Sequence, residues 1–181
     1  QALKQDRDFN DSDLVNDIAK REIAAILRCD LSLIISPYEI ALLVEYFKVD
    51  PDLLHFLPFM VDLTQLPDKS LAFEQRQHFI TIGNFRHAPN WDAVLYIRSL
   101  WPKIRQHLHQ AECHLYGAYP PPKATALNNP KIGFLVKGWA DDASLVMGQA
   151  RVCLAPLRFG AELKGKLLDA MITQTPNITT P

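Results

Sequence analysis

No apolar run in the sequence approaches the ~20 residues needed to cross a bilayer, so no membrane span is expected. CxxC is absent, and the three cysteines (Cys29, Cys113, Cys153) are scattered and odd in number. That pattern fits neither a disulfide framework nor a structural zinc site, and it suits a reducing compartment such as the cytoplasm. The six histidines form neither HxxxH nor HExxH, so no metal is expected. GxGxxG and GxxxxGK[ST] are both missing among the seven glycines, which removes the usual dinucleotide fingerprint and the Walker A loop. A basic excess is missing as well: the formal charge is -1, which argues against nucleic acid as a partner. The first residues, QALKQDRDFNDSD, are polar and do not read as a signal peptide. The Asn-Ile-Thr sequon at 177–179 falls in an expected core strand and is discounted.

What is present is an alternation of short apolar runs and amphipathic stretches. Residues 13–28 place Leu14, Ile18, Ile23, Ala24, Ile26 and Leu27 on one helical face. Residues 31–36 and 53–57 read as strands around a helix that begins at Pro37, a favoured first position. Residues 61–77 are polar and aperiodic and read as a linker. The pattern then restarts, with strands at 78–83, 113–117, 131–138 and 152–157 and a last one at Asn177 onward. Helices lie between them. Asn90 is the expected cap of the first, Pro102 is expected to kink or end it, and Asp141 or Asp142 caps a later one. Within the first, Trp91, Leu95, Leu100 and Trp101 read as packing residues. The fold class is therefore α/β, a Rossmann-like parallel sheet with helices on both faces.

In such sheets ligands bind outside the carboxyl ends of the strands. Three loops there carry glycine: GNFRHAPN from Gly83, GWADD from Gly138, and RFGAELKGK before the last helix. The first also holds Arg86 and His87, and the third places Lys164 and Lys166 at the head of a helix. Cations are unfavourable at that positive end unless an anion such as phosphate sits there. Asp169 follows Lys166 by about one turn and could accept hydrogen bonds from ribose hydroxyls. Phosphate and ribose together suggest a nucleotide. Trp139 follows a glycine in a strand-end loop and is balanced between packing and contact with a base. His78, His107, His109 and His114 read as surface or edge residues.

Two segments carry a family resemblance. FITIGNFRHAPNWDAVLYIRSLWPKIRQHLHQAECHLYGAYPPP and VKGWADDASLVMGQARVCLAPLRFGAELKGKLLDAM resemble the C-terminal donor domain of the retaining glycosyltransferases of group 1, or family 4. The matching residues are Gly83, Asn84, Pro89, Asn90, Gly117, Gly138, Ala155, Pro156, Lys164, Lys166, Ala170 and Met171. Residues 21–39 and 53–62 resemble the end of the N-terminal domain. The resemblance implies part of a GT-B architecture. Residues 1–60 would end the acceptor domain, 61–77 would link, and 78–181 would form an incomplete nucleotide-sugar-binding domain. Lys164 and Lys166 would contact the donor diphosphate, with Gly83, Asn84 and Arg86 beside them. Asp169 would hold the ribose, and Gly138 with Trp139 would border the base. Asp169 stands where the family has glutamate, and Ala161 stands at the family's first acidic position.

The implied reaction is transfer of a sugar from a UDP-, GDP- or other nucleoside-diphosphate sugar to an acceptor hydroxyl, with retention and without a metal or other cofactor. The acceptor would be a carbohydrate or a lipid-linked group, and any peripheral membrane contact would run through the acceptor domain. Catalytic groups from that domain are not named by this sequence, and the chain alone is expected not to turn over. Two other readings are weighed: a sugar-nucleotide epimerase of the same fold, and a non-catalytic α/β nucleotide-binding or regulatory domain.

Overall fold

The computed structural model describes residues 15–61, 71–159 and 165–180. They fall into two compact units, divided between residues 62 and 63.

The first unit is small. Helix α1 (Asp17–Ile26) opens where Asn16 accepts from the backbone N–H groups of Ile18 and Ala19, both at 2.9 Å. Strand β1 (Ser32–Ile34) is followed by α2 (Pro37–Glu45), capped by Ser36 with proline in its first turn. A turn at Pro51–Leu53 leads to β2 (Leu54–Phe56), which pairs parallel with β1. The expected strands are in place but shorter. Ile26 and Val49 are its buried apolar side chains, while Leu33 and Phe56 are exposed.

The second unit holds a five-stranded parallel sheet. Its elements are β3 (Gln77–Ile82), α3 (Ala88–His107), β4 (Cys113–Tyr116), α4 (Pro122–Thr125) and β5 (Phe134–Gly138), followed by α5 (Ala143–Gln149), β6 (Ala150–Ala155), α6 (Gly165–Ile172) and β7 (Asn177–Thr179). The spatial order is β5-β4-β3-β6-β7. Alternate residues of β3 feed two cores, as the period of a strand requires. Phe79 packs with Trp101, Cys113, Leu115 and Phe134 on the α3 side. Ile80 packs with Met147, Cys153 and Ala170 beneath α5 and α6. Helices on both faces explain why these strands are continuous apolar runs.

Three local expectations change. The N-cap of α3 is His87, and Asn90 sits inside the first turn. The helix continues through Pro102 to His107. Buried Trp101 and Ile97 and half-buried Ile104 dock on the same apolar cluster, so packing on both sides of the proline offsets the lost backbone bond. The Trp101 indole N–H donates to the Ile132 carbonyl at 2.7 Å, so its burial leaves no orphan donor. Leu95, expected to pack, is exposed. Asp142 caps α5 by accepting from the Leu145 N–H at 2.8 Å.

His107 and His109 are exposed, but His78 and His114 are not the edge residues that were expected. Their rings stack at 3.8 Å between centroids, at the amino ends of β3 and β4. His114 Nε2 lies 2.8 Å from a Glu112 carboxylate oxygen. Among the described residues, buried His78 Nε2 and His114 Nδ1 have no hydrogen-bond partner. Burial, reinforced by the neighbouring His114, pushes His78 down to about 4.

Arg76 is buried with its charge satisfied by neutral acceptors. It donates to the Leu71 carbonyl, the Thr175 hydroxyl and the Thr173 carbonyl at 2.9, 2.7 and 3.0 Å. The segment before β3 is thereby tied to the one before β7.

Candidate functional site: the carboxyl edge of β3 and β6

β3 pairs with β4 on one side and β6 on the other. The chain therefore leaves β3 in one direction along the sheet and later returns on the other side. A crevice opens at that reversal, outside the carboxyl ends of the strands. The N-termini of α3 and α6 both follow strands at this edge.

Two glycines set how closely the strand ends approach. A Cβ on Gly117 would lie 1.9 Å from the Gly83 carbonyl oxygen, a position no side chain can take. A Cβ on Gly83 would lie 2.8 Å from the Asn90 carboxamide. The Asn90 carboxamide occupies the space beside Gly83. Phe85 is buried beneath this loop, and its N–H donates to the Ala118 carbonyl at 3.2 Å.

The lysine that raised the phosphate question points into this edge. Lys166 Nζ donates to Asn90 Oδ1 at 2.7 Å. Asn90 Nδ2 donates in turn to the Asn84 carbonyl at 3.3 Å. The Asn84 side-chain oxygen accepts from the Arg86 N–H at 2.9 Å, which closes the loop on itself. A second link runs parallel: Arg158 grips Asp92 with Nε and Nη2 at 2.9 and 2.6 Å. The start of α3 is thus joined once to α6, through Lys166, and once to the segment before it, through Arg158. Lys166, Asn90, Gly83, Thr81 and Tyr116 line a small cleft at this edge.

Asp169 lies three residues after Lys166 in α6, on the same helical face. Both influence the buried Cys153 thiol, which burial pushes up to about 11. Asp169 is half-buried, and no side chain among the described residues donates to its carboxylate. Burial therefore holds that carboxyl above its ordinary range. Lys164 lies outside the described residues.

The third loop is built differently. Gly138 adopts φ +77, and nothing lies within 4 Å of where its Cβ would be. Glycine is needed there for its backbone conformation, and the space beside it is open. Trp139 is 68% exposed, so it is not a packing residue. Arg86 is exposed, with its guanidinium 4.3 Å above the Tyr119 ring. Tyr119 is itself exposed, with a left-handed φ of 54. Nothing in the sequence marked Tyr119, since a tyrosine before three prolines reads as loop; the signal is its strained backbone at a functional edge.

The structure thus brings Gly83, Asn84, Asn90 and Lys166 together, with Asp169 on the Lys166 face of α6. It places Gly138, Trp139 and Arg86 in the neighbouring strand-end loops. Among the described residues no group of three His, Cys, Asp or Glu side chains could hold a metal. No described helix is long and apolar enough to cross a membrane.

A family model described as glycosyl transferases group 1 matches residues 76–181, more than half of the chain. The chain belongs to that family. Solved glycosyltransferases share the fold of this group 1 member. A variant of S. aureus TarM, solved with UDP, α-GlcNAc-glycerol and fondaparinux, aligns with TM-score 0.68 and 12% identity, covering 96% of this chain and 34% of TarM. WaaG, a glycosyltransferase involved in lipopolysaccharide biosynthesis, aligns with TM-score 0.65 and 18% identity over 98% of this chain and 52% of its own. The pneumococcal O-GlcNAc transferase GtfA, solved with UDP and GlcNAc, aligns with TM-score 0.61 and 14% identity over 91% and 32%. The chain therefore spans about a third to a half of the glycosyl transferases it matches. These similarities establish the GT-B Rossmann-like fold. No curated protein sequence matches the chain.

Proposed function

We propose that this chain binds the nucleoside diphosphate of a sugar donor at the carboxyl edge of β3 and β6, as part of a retaining glycosyltransferase. The observation that carries the reading is the arrangement of α6 at the topological switch point. Its first turn presents Lys166 to the edge, and Asp169 follows on the same face with an unpartnered, half-buried carboxylate. Backbone N–H groups at a helix N-terminus and a lysine suit a diphosphate. A carboxylate one turn on suits ribose hydroxyls, which would supply the donors it lacks. Gly138 leaves open space for a base, and exposed Trp139 offers a ring to stack on it. Lys164, Gly83, Asn84 and Arg86 complete the proposed diphosphate side. UDP is the first nucleotide to test, because TarM and GtfA were both solved with it.

In the proposed reaction the bond from the anomeric carbon to the diphosphate oxygen breaks and a bond to the acceptor oxygen forms. The acceptor's proton leaves with the diphosphate. The lysines and the α6 N-terminus stabilise the charge that grows on the leaving group, the type of contact whose loss costs about 3–4 kcal/mol at an oxyanion site. The same groups would serve without a metal. The carbohydrate or lipid-linked acceptor would be met by the domain of which residues 1–60 are the end, with 61–77 as linker.

Isotope-labelled chain titrated with UDP and GDP tests the placement. The backbone signals of Gly83 and Gly138, the Trp139 indole and the Asp169 carboxyl should shift together along one saturation curve. Shifts confined to other residues would remove the site from this edge.

A further inference from the structure

We propose that Asn90 is a positioning residue for Lys166, holding its ammonium in place for the diphosphate at the carboxyl edge of β3 and β6. This rests on the reading of Lys166 as a donor-phosphate contact and adds a residue to which no binding role is yet assigned. Three observations fix the Asn90 carboxamide. Its Nδ2 donates to the Asn84 carbonyl at 3.3 Å, which decides which end of the amide is oxygen. Its Oδ1 then faces Lys166 Nζ at 2.7 Å. Gly83 leaves the space the group occupies, since a Cβ there would lie 2.8 Å from Asn90 Cγ and Nδ2.

Only a carboxamide can perform both tasks. Aspartate would accept from the lysine but could not donate to the carbonyl, and its charge would neutralise the site for an anion. Serine is too short to span both partners. A neutral acceptor orients the ammonium without adding a negative charge beside it. A lysine held in this way loses less rotamer freedom when the anion arrives, which strengthens binding without a new contact. Asp92, two residues after Asn90 on α3, pairs with Arg158 of the segment before α6, a second contact between these parts of the chain.

The experiment is a double-mutant cycle on the chain, read by UDP affinity. Asn90→Ala should weaken UDP about tenfold in the native background and less than about twofold when Lys166 is already alanine. Equal losses in both backgrounds would overturn the proposal, because Asn90 would then not act through Lys166. Asn90→Asp, which preserves shape, should also weaken UDP while keeping Lys166 ordered; unchanged affinity would overturn the role given to the neutral acceptor. The lysine is read separately, from its Cε NMR signal without nucleotide. Asn90→Ala should shift Lys166 toward the position of a solvated lysine, and an unmoved signal would overturn the proposal. If the native chain binds no UDP, the donor-site reading falls, and this lysine signal alone decides whether Asn90 positions Lys166.

Discussion

The two ends of the same sheet handle polar groups in opposite ways. At the carboxyl end, Lys166, Asn90, Asn84 and the Gly83 loop are joined in a chain of hydrogen bonds. At the amino end, His78 and His114 are stacked and half-buried, with a ring nitrogen on each left unpartnered. The first arrangement is charged, open to solvent and tied to two helix N-termini. The second is kept neutral by burial. The difference is between an edge where a cation meets neutral acceptors, as the proposed anion site requires, and a pair of rings that burial keeps uncharged; sequence spacing alone does not distinguish the two.

The strongest way to break the contrast is to crowd the carboxyl edge. Gly117→Ala places a methyl group against the Gly83 carbonyl, where backbone must move, and should cost about 2–3 kcal/mol in a denaturant melt. Gly138→Ala meets no atom and should cost only about 1 kcal/mol, from its left-handed φ. Equal losses would mean that the two glycines serve the same purpose.

The amino end is tested by acid. His78 sits at about 4 in the fold against 6.5 when exposed, so the unfolded chain takes up the proton first. Stability should fall as pH drops from about 6.5 toward 4 and then level off, by about 1–2 kcal/mol once solvent screening of a half-buried ring is allowed for. His78→Asn, which tolerates the left-handed backbone at this position, should reduce that slope, the remainder coming from His114, which burial also lowers. A slope unchanged by the substitution would place the titration elsewhere.

Asp169 provides a finer comparison, because burial raises its carboxyl where it lowers His78. Bound ribose hydroxyls should donate to the carboxylate and bring its pKa down, visible in the carboxyl carbon shift with UDP. The 2′-deoxy nucleotide should produce a smaller change. The smallest effect is expected from Arg86→Ala. Its guanidinium rests on exposed Tyr119 and would reach the diphosphate only from the rim, so UDP affinity should fall by about threefold to fivefold.

Much of this architecture was legible in the sequence because apolar runs and caps are local signals. The strands of the second unit fall where the runs are, and Pro37 begins its helix as expected. Pro102 does not end its helix, because docking of Trp101 and its neighbours outweighs a local backbone penalty. The candidate site was legible only in its local placements: Lys166 and Asp169 on one helix, and Gly138 and Trp139 in one strand-end loop. The Asn90–Lys166 and Asp92–Arg158 links join α3 to a segment that only the strand order β3-β6 brings near, and no short-range pattern encodes that order. The glycines also looked alike in sequence, whereas one is required by space and another by backbone angle.

The most direct measurement of the central claim is a calorimetric titration of UDP and GDP into the native chain and into Lys166→Ala. The account predicts saturable binding of one nucleotide that weakens at least about thirtyfold in the variant, as loss of a charged contact to phosphate should. Saturable binding that is the same in both chains would contradict it, because the nucleotide would then not be held by the lysine at this edge.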